Sequence, residues 1–536
     1  MLDWCEIGLC GLMCLFGVTW MLFILASAGP LWRDELSSLN LAQTASLAGL
    51  WDHLVNDSCP VLWPIVLRAW VSMGFTDDYQ IRILGFVIGM GVLSAPYIIA
   101  HWMNPRTPIL SVSLLAFSPT VLFTVSSLRA YGLGALTLLF TMGFAWRVVE
   151  RDSPARLSFL LAASILAAHS MYASVAFLVV ILSSGTLALL LRRRWRSAAW
   201  IVGIGCISLG SMVIYRPIIR QAGETLGLFQ IPFDVGLIAM AVTYSVSTGG
   251  PFQLWAWGSL IFLGAMAAMG SWVRKQSLRP GEREGGMMLF SLLVMLASPV
   301  AYGALLLHLR VPTQFWYYGA LMAVVAVAID GVLGGHWRSP LLRGCRLILA
   351  LLIAVTAIPS VWKEVQSRRT NMDIVAGELM LKAGPRDLII VVPLYYGTAF
   401  ERYYTGRTPW MTLPPVESAK WGLFEAVKKA MLKDDPLGEL LLRSGDTLRS
   451  GNRVWIVGGI ILVEPEKVPP APPPPPSGPL GWNHTPYTIY WCMRLSMFLK
   501  SHAGGIHKVS VDPGIPVNPF ENVSLIMFSP PPGQRE

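Results

Sequence analysis

The chain has 536 residues, 54% of them apolar and only 13% charged, with a formal net charge of +10. Soluble domains carry about a quarter charged residues, so length and composition exclude an ordinary soluble enzyme and point to a polytopic membrane protein. The positive charge does not imply nucleic acid, because the basic residues lie in short loops between apolar runs, where they set membrane topology.

A run of about twenty apolar residues crosses a bilayer. Eleven such spans are expected near 8–30, 81–101, 108–127, 131–148, 157–169, 171–190, 198–216, 252–272, 286–306, 315–334 and 345–362. The first is preceded by Asp3 and Glu6 rather than a basic segment, so it reads as a retained helix and not a cleaved signal. With a cytoplasmic N-terminus, five basic loops fall on one side: Arg106; Arg147, Arg151 and Arg156; "RRRWR" (192–196); "RKQSLRPGER" (274–283); and "RSPLLRGCR" (338–346). The positive-inside rule makes that side cytoplasmic, and the chain is expected to be an integral plasma (inner) membrane protein. Residues 31–80 and the tail after 362 then lie outside the cytoplasm.

In the loop 31–80, "LSSLNLAQTASLAGLWDHLV" places Leu36, Leu39, Ala42, Leu47, Leu50 and Leu54 at helical spacing. It reads as one amphipathic helix on the membrane surface. "PVLWPIVLRAWVSMGF" (60–75) is short for a span and carries Arg68, so it reads as a second interfacial helix. The tail 363–536 reads as a small α/β domain. Its strands are expected in "RDLIIVVPLYY" (386–396), "NRVWIVGG" (452–459) and "NVSLIMFSP" (522–530), with a helix over 488–502. A proline-rich insertion at 465–480 reads as an extended polyproline II spacer. The seven cysteines form no metal-ligand pattern; Cys59 and Cys492 are placed outside the membrane, and spacing alone does not establish a bridge between them.

The candidate functional residues gather on the outer face. Asp34 and Glu35, in "SAGPLWRDELSSLN", stand where the first span ends. Ionisable groups at that depth usually face a cavity or a partner; a solvated helix start is the alternative, since acidic groups suit the first turn. Asp57 in "VNDSCP" is a second carboxylate, or an Asx turn before Pro60. Arg129 and Arg310 occupy a face where the charge rule disfavours arginine, and the guanidinium fork matches phosphate oxygens. His169 and Tyr172 in "AHSMY" are further candidates, an interfacial histidine being the plainer reading. A carboxylate that takes a proton from a hydroxyl, and arginines that hold a leaving phosphate, suit an enzyme acting on a lipid-linked phosphorylated substrate. A transporter of a lipid-linked sugar and a non-catalytic membrane scaffold are the competing readings. A transporter would show internal repeats and broken helices near the midplane, and no internal repeat stands out.

The segments "WRDELSSLNLA" (32–42), "DSCPVLWPIVLRAW" (57–70), "SSLRAYGLGAL" (126–136) and "RVPTQFWYYGALMA" (310–323), with "RDLIIVVPLYYGTAFERYYTG" (386–406) and "RVWIVGG" (453–459), together resemble bacterial GT-C glycosyltransferases. The nearest set is the protein O-mannosyltransferase and lipid A aminoarabinose transferase superfamily. The resemblance implies a membrane GT-C catalytic domain over 1–362 with about eleven transmembrane helices, and an extracytoplasmic α/β domain over 363–536. It implies inverting transfer of a sugar from a polyprenyl-phosphate carrier to a hydroxyl on an envelope glycan, lipid or protein. Asp34 would be the general base and Glu35 would orient the acceptor. Arg129, Tyr131 and Arg310 would hold the donor phosphate. Where the family often has His-Pro-Pro, this chain has Asp57-Ser58-Cys59-Pro60, and "QFWYY" lacks the family's Arg beside Tyr. Some members use a divalent cation; Mg or Mn would fall to Asp34 and Asp57, two carboxylates are a thin ligand set, and no cofactor is expected to be obligatory.

Overall fold

The computed structural model describes residues 2–103, 107–226, 234–273, 283–310, 313–334, 339–421, 423–461, 470, 472–478 and 482–532. Arg106, most of the 274–283 loop, Arg338 and much of the 465–480 insertion lie outside the described residues. The chain forms two compact units. The first comprises Met1–Ala26, Ser58–Pro217 and Pro232–Val365; the second comprises Ser27–Asp57, Ile218–Ile231 and Gln366–Glu536.

The first unit is helical. Among the described residues, nine helices are long and apolar enough to cross a membrane: Leu2–Ser27, Asp78–Met103, Ala130–Glu150, Ser174–Leu191, Trp195–Glu224, Pro251–Ser271, Arg283–Leu309, Phe315–Leu333 and Pro340–Val365. The expected span at 108–127 is instead two helices, Ile109–Ala116 and Pro119–Ser126, bent by 74°. Pro119 has no N–H to continue the ladder and disfavours helical geometry at Ser118, whose hydroxyl accepts the Val121 N–H at 3.3 Å. The expected fifth span is a 17-residue helix, Pro154–Ser170. Among the described residues the count is therefore nine or ten long spans plus this shorter helix. Helix Val235–Ser247 lies between the expected spans at 198–216 and 252–272. Helix Leu62–Ser72 is short and apolar, and buries Trp63, Pro64 and Leu67.

Phe315–Leu333 is the central helix, with 89% of its apolar window buried. Its alanines and glycines let neighbouring helices approach closely, as membrane packing favours. The basic loops meet at one end of this unit. Arg283 pairs with Glu150 at 2.6 Å, Arg194 with Asp152 at 2.5 Å, and Arg156 donates to the Arg147 carbonyl at 2.8 Å. Arg343 and Arg346 reach Glu6 at 2.9 and 3.2 Å, and Arg346 also donates to the Thr107 carbonyl at 3.1 Å. Segments separated in sequence by hundreds of residues thus share one polar end.

The second unit holds a five-stranded sheet. Its strands are β1 (Leu388–Val392), β2 (Trp410–Thr412), β3 (Val454–Gly458), β4 (Gly505–Val509) and β5 (Leu525–Ser529). Their order is β2-β1-β3-β5-β4. β1 runs parallel to β2 and β3, with Ile390 opposite Ile456, and β5 runs antiparallel to β3 and β4. β1 and β3 are buried throughout, as central parallel strands covered on both faces must be. β2 and β4 escaped the sequence reading: β2 has three residues, and β4 is an edge strand whose exposed His507 and Lys508 break any apolar alternation. Leu440 and Leu448 from helix Gly438–Arg449, and Trp491, Leu495 and Leu499 from helix Thr485–His502, pack with Ile390, Ile456 and Phe528. Asp387, almost wholly buried, locks the sheet's entry. It accepts from the Arg453 N–H at 2.8 Å, the Trp455 indole at 2.9 Å and the Gly384 N–H at 2.9 Å.

Residues 27–57 belong to this second unit. The expected single amphipathic helix there is two helices, Arg33–Ala42 and Leu47–His53. The Thr44 hydroxyl donates to the Leu41 carbonyl and Ser46 caps Gly49 at 3.0 Å, so local side-chain bonds end one helix and begin the next. Leu36, Leu39, Ala42, Leu50 and Leu54 are buried within the protein, and only Leu47 of the expected apolar face is exposed. Cys59 and Cys492 are both buried thiols.

Candidate active site

Two groups of candidate residues emerge, one in each unit. In the second unit, helix Arg33–Ala42 starts just after the segment 28–32 and carries Asp34 in its first turn. The two adjacent carboxylates have unlike settings. Glu35 is fully buried, and its Oε2 accepts the backbone N–H of Trp32 at 3.4 Å, a bond that closes the helix start. Asp34 keeps 32% of its side chain exposed and lies 3.4 Å from the Arg33 Nε. Arg33 stands over the rings of Trp32 and Tyr396, with its guanidinium carbon about 6 Å from each centroid (5.9 and 6.0 Å). Burial alone would lower the Arg33 pKa, but the charges of Asp34 and Glu521 outweigh it and hold the guanidinium above its ordinary value.

Glu521 was not singled out by the sequence. It lies 488 residues from Arg33, and its Oε2 accepts the Arg33 backbone N–H at 2.9 Å. Burial pushes its carboxyl up to about 8, although the Arg33 N–H, the Arg33 charge and the Thr370 hydroxyl pull the other way. Burial also raises the Tyr396 hydroxyl. Nothing local to "NPFENVS" marks Glu521, because its partner is distant in sequence.

Asp57 is turned inward in the same unit, and its Oδ2 accepts from the buried Ser38 hydroxyl at 2.7 Å. Ser38 is on the helix that carries Asp34, so Asp57 ties the loop end to that helix. Among the described residues, no group of three or more His, Cys, Asp or Glu side chains is arranged to hold a metal ion.

In the first unit, Arg129 caps helix Ala130–Glu150 from an extended backbone and is 8% exposed. Its Nη2 donates to the Ser58 hydroxyl at 3.1 Å, and its guanidinium carbon lies 6.0 Å from the Tyr131 ring centroid. Tyr131 meets Tyr317 edge-on at 5.5 Å. The "QFWYY" turn, a 3₁₀ helix at Phe315–Tyr318, thus reaches the Arg129–Tyr131 pair. Gly85 makes room for the chain that leads into Arg129: a Cβ there would lie 2.6 Å from the Ser126 carbonyl oxygen. Arg310 ends helix Arg283–Leu309, exposed, with a left-handed backbone at φ +52°.

His169 and Tyr172 meet a residue that the sequence reading passed over, Tyr215. The His169 Nδ1 lies 2.7 Å from the Tyr215 hydroxyl, and Nε2 lies 2.9 Å from the Ser211 hydroxyl. Ser211 donates onward to the Ser208 carbonyl and Tyr215 accepts the Val61 N–H at 3.3 Å. That order assigns the ring proton to Nε2, with Tyr215 donating to Nδ1. Tyr172 packs edge-on against Tyr215 at 5.7 Å. The network therefore pins the backbone at Val61, three residues from Ser58, the acceptor for Arg129. Tyr215 carried only an ordinary helix-end signal in "VIYRP".

No family model matches the sequence, and no curated protein matches it. In structure the chain is similar to ArnT from Cupriavidus metallidurans bound to undecaprenyl phosphate, with 13% identity and a TM-score of 0.49 over 83% of this chain and 93% of that one. It is also similar to the Archaeoglobus fulgidus oligosaccharyltransferase tethered by a disulfide to an acceptor peptide containing the NVT sequon. That likeness has 11% identity and a TM-score of 0.44 over 96% of this chain and 73% of that one.

Proposed function

We propose that the protein is an inverting glycosyltransferase of the GT-C type. It moves a sugar from a polyprenyl-phosphate carrier to a hydroxyl of an envelope glycan, lipid or protein, on the extracytoplasmic face of the plasma membrane. The observation that carries the reading is the contrast between neighbouring carboxylates. Glu35 is consumed by the helix start, whereas Asp34 is partly exposed on a helix whose first turn is fixed from several sides. An accessible carboxylate on a rigid element is what a general base requires. In the reaction, the Asp34 carboxylate takes the proton of the acceptor hydroxyl as its oxygen attacks the anomeric carbon. The bond from that carbon to the carrier phosphate breaks, and the phosphate leaves with the electron pair. Arg129, oriented by Ser58 and Tyr131, would neutralise the departing phosphate, and Arg310 remains a second candidate for the same charge. No obligatory metal is invoked.

The shared end of the basic loops supports the sidedness, because loops that meet at one end of a helical bundle lie on one side of a membrane. The N-terminus is then cytoplasmic and the sheet-bearing unit extracytoplasmic. The test is transfer of label from a panel of radiolabelled polyprenyl-phosphate sugars in membranes with wild type or Asp34→Asn. The expected result is label leaving the carrier with wild type, and at least a hundredfold less with the variant. Equal rates would remove Asp34 as the base. Lipid-linked sugar that changes leaflets while no donor is consumed would replace the transferase with a transporter.

A further inference from the structure

The segment 28–33, which leads into the helix bearing Asp34, is held at three points by Arg369, Tyr403 and Glu521 of the same unit. The Ala28 carbonyl accepts the Arg369 N–H at 2.8 Å. The Tyr403 hydroxyl accepts the Leu31 N–H at 2.7 Å and donates to the Leu31 carbonyl at 3.1 Å. Glu521 accepts the Arg33 N–H at 2.9 Å. The first turn of a helix leaves its N–H groups without intrahelical partners, and Glu521 supplies the partner for the first of them from the far end of the chain. Its own carrier is rigid. The Arg368 N–H donates to the Pro516 carbonyl and the Asn518 N–H to the Arg368 carbonyl, both at 2.9 Å. The Asn371 side-chain amide clasps Val523 in both directions, at 2.9 and 2.7 Å.

We propose that Glu521 is a positioning residue for Asp34: from the C-terminal end of the second unit it grips the backbone one residue before the base and fixes the direction in which helix Arg33–Ala42 presents that carboxylate. This rests on the reading of Asp34 as the general base. The groups that face Glu521 are Arg33 and Asp34 of that helix, Tyr396 from the turn after β1, and Thr370. With its carboxyl pushed up to about 8, Glu521 is mainly neutral at pH 7, and a neutral acid still accepts through its carbonyl oxygen. A glutamine places the same oxygen there, an alanine places none. The sheet-bearing unit is on this account part of the catalytic frame.

The test compares full-length wild type, Glu521→Gln and Glu521→Ala in lipid nanodiscs by backbone hydrogen exchange. In Glu521→Ala, peptides covering 31–36 should exchange about tenfold faster at pH 7, while β1 and β3 keep their protection. Glu521→Gln should restore the wild-type rate. Unchanged exchange in the alanine variant, or loss in both variants alike, overturns the grip. A uniform loss across β1 and β3 overturns it too, because Glu521 would then hold the whole unit. Transfer from the donor panel is read in parallel, and Glu521→Ala should lower kcat while leaving the donor KM unchanged, with glutamine rescuing it. A fall in donor affinity instead would overturn the positioning role. If Asp34→Asn transfers normally while 31–36 still loosens in Glu521→Ala, the base assignment fails and the grip stands.

Discussion

Glu521→Gln should make the stability of the second unit nearly independent of pH between 5 and 8. In the wild type the folded carboxyl titrates at about 8, against the ordinary 4.5. Between those values the folded chain holds a proton that the unfolded chain has released, so stability falls as pH rises. The contribution is fully present below 4.5 and is lost as pH passes through 8. The gap of about 3.5 pH units, at about 1.4 kcal/mol per unit, sets a ceiling of about 5 kcal/mol across the window. Glu521 is wholly buried, so solvent screening does little to reduce it. Glutamine has no such proton to lose and carries the same shape. The assay is thermal unfolding of both proteins in detergent at pH 5.5 and pH 8.5, followed by the hydrogen-exchange protection of β1 and β3. Wild type should lose stability at the higher pH by clearly more than the glutamine variant. Identical losses in the two proteins would refute the burial argument, as would a wild type more stable at pH 8.5.

Arg129→Ala should weaken binding of a polyprenyl phosphate by about tenfold to a hundredfold, the scale of one or two charge-assisted bonds, with lysine rescuing little because it lacks the planar fork; isothermal binding in nanodiscs reads this, and unchanged affinity would release Arg129 from the donor site. Asp387→Ala should destabilise the sheet by about 3–5 kcal/mol, because three N–H donors and the Arg453 guanidinium, 3.0 Å away, lose one buried acceptor; faster exchange in β1 and β3 checks it, and wild-type protection would contradict it. Transfer activity should survive exhaustive treatment with EDTA, since Asp57 is occupied by Ser38 and Asp34 lies against Arg33; loss restored by Mg or Mn would place a cation at the site.

Much of this architecture is legible in the sequence because it follows from local rules. Apolar runs of membrane length need no distant partner to be recognised, and β1, β3 and β5 are apolar runs that each lie between two other strands of the sheet. The break at Ser118–Pro119 was legible in principle, since proline removes a helical donor, but a strongly apolar run masks a bend. The two helices that replace one over 33–53 are decided by Thr44 and Ser46, whose hydroxyls compete for backbone partners within an otherwise continuous pattern.

The candidate site divides along the same line. Asp34, Glu35 and Arg129 declare themselves because charge is costly beside a membrane. Which carboxylate is accessible is a matter of burial, and only the tertiary structure buries Glu35 while leaving Asp34 partly exposed. Only the fold assigns 27–57 to the sheet-bearing unit, joins His169 to Tyr215, and brings Glu521 to the start of the Asp34 helix. A sequence records the period of its apolar residues and the cost of its charges, both of which act over a few residues. A hydrogen bond between positions 33 and 521 leaves no such trace, because it exists only after the strands and helices between them have packed.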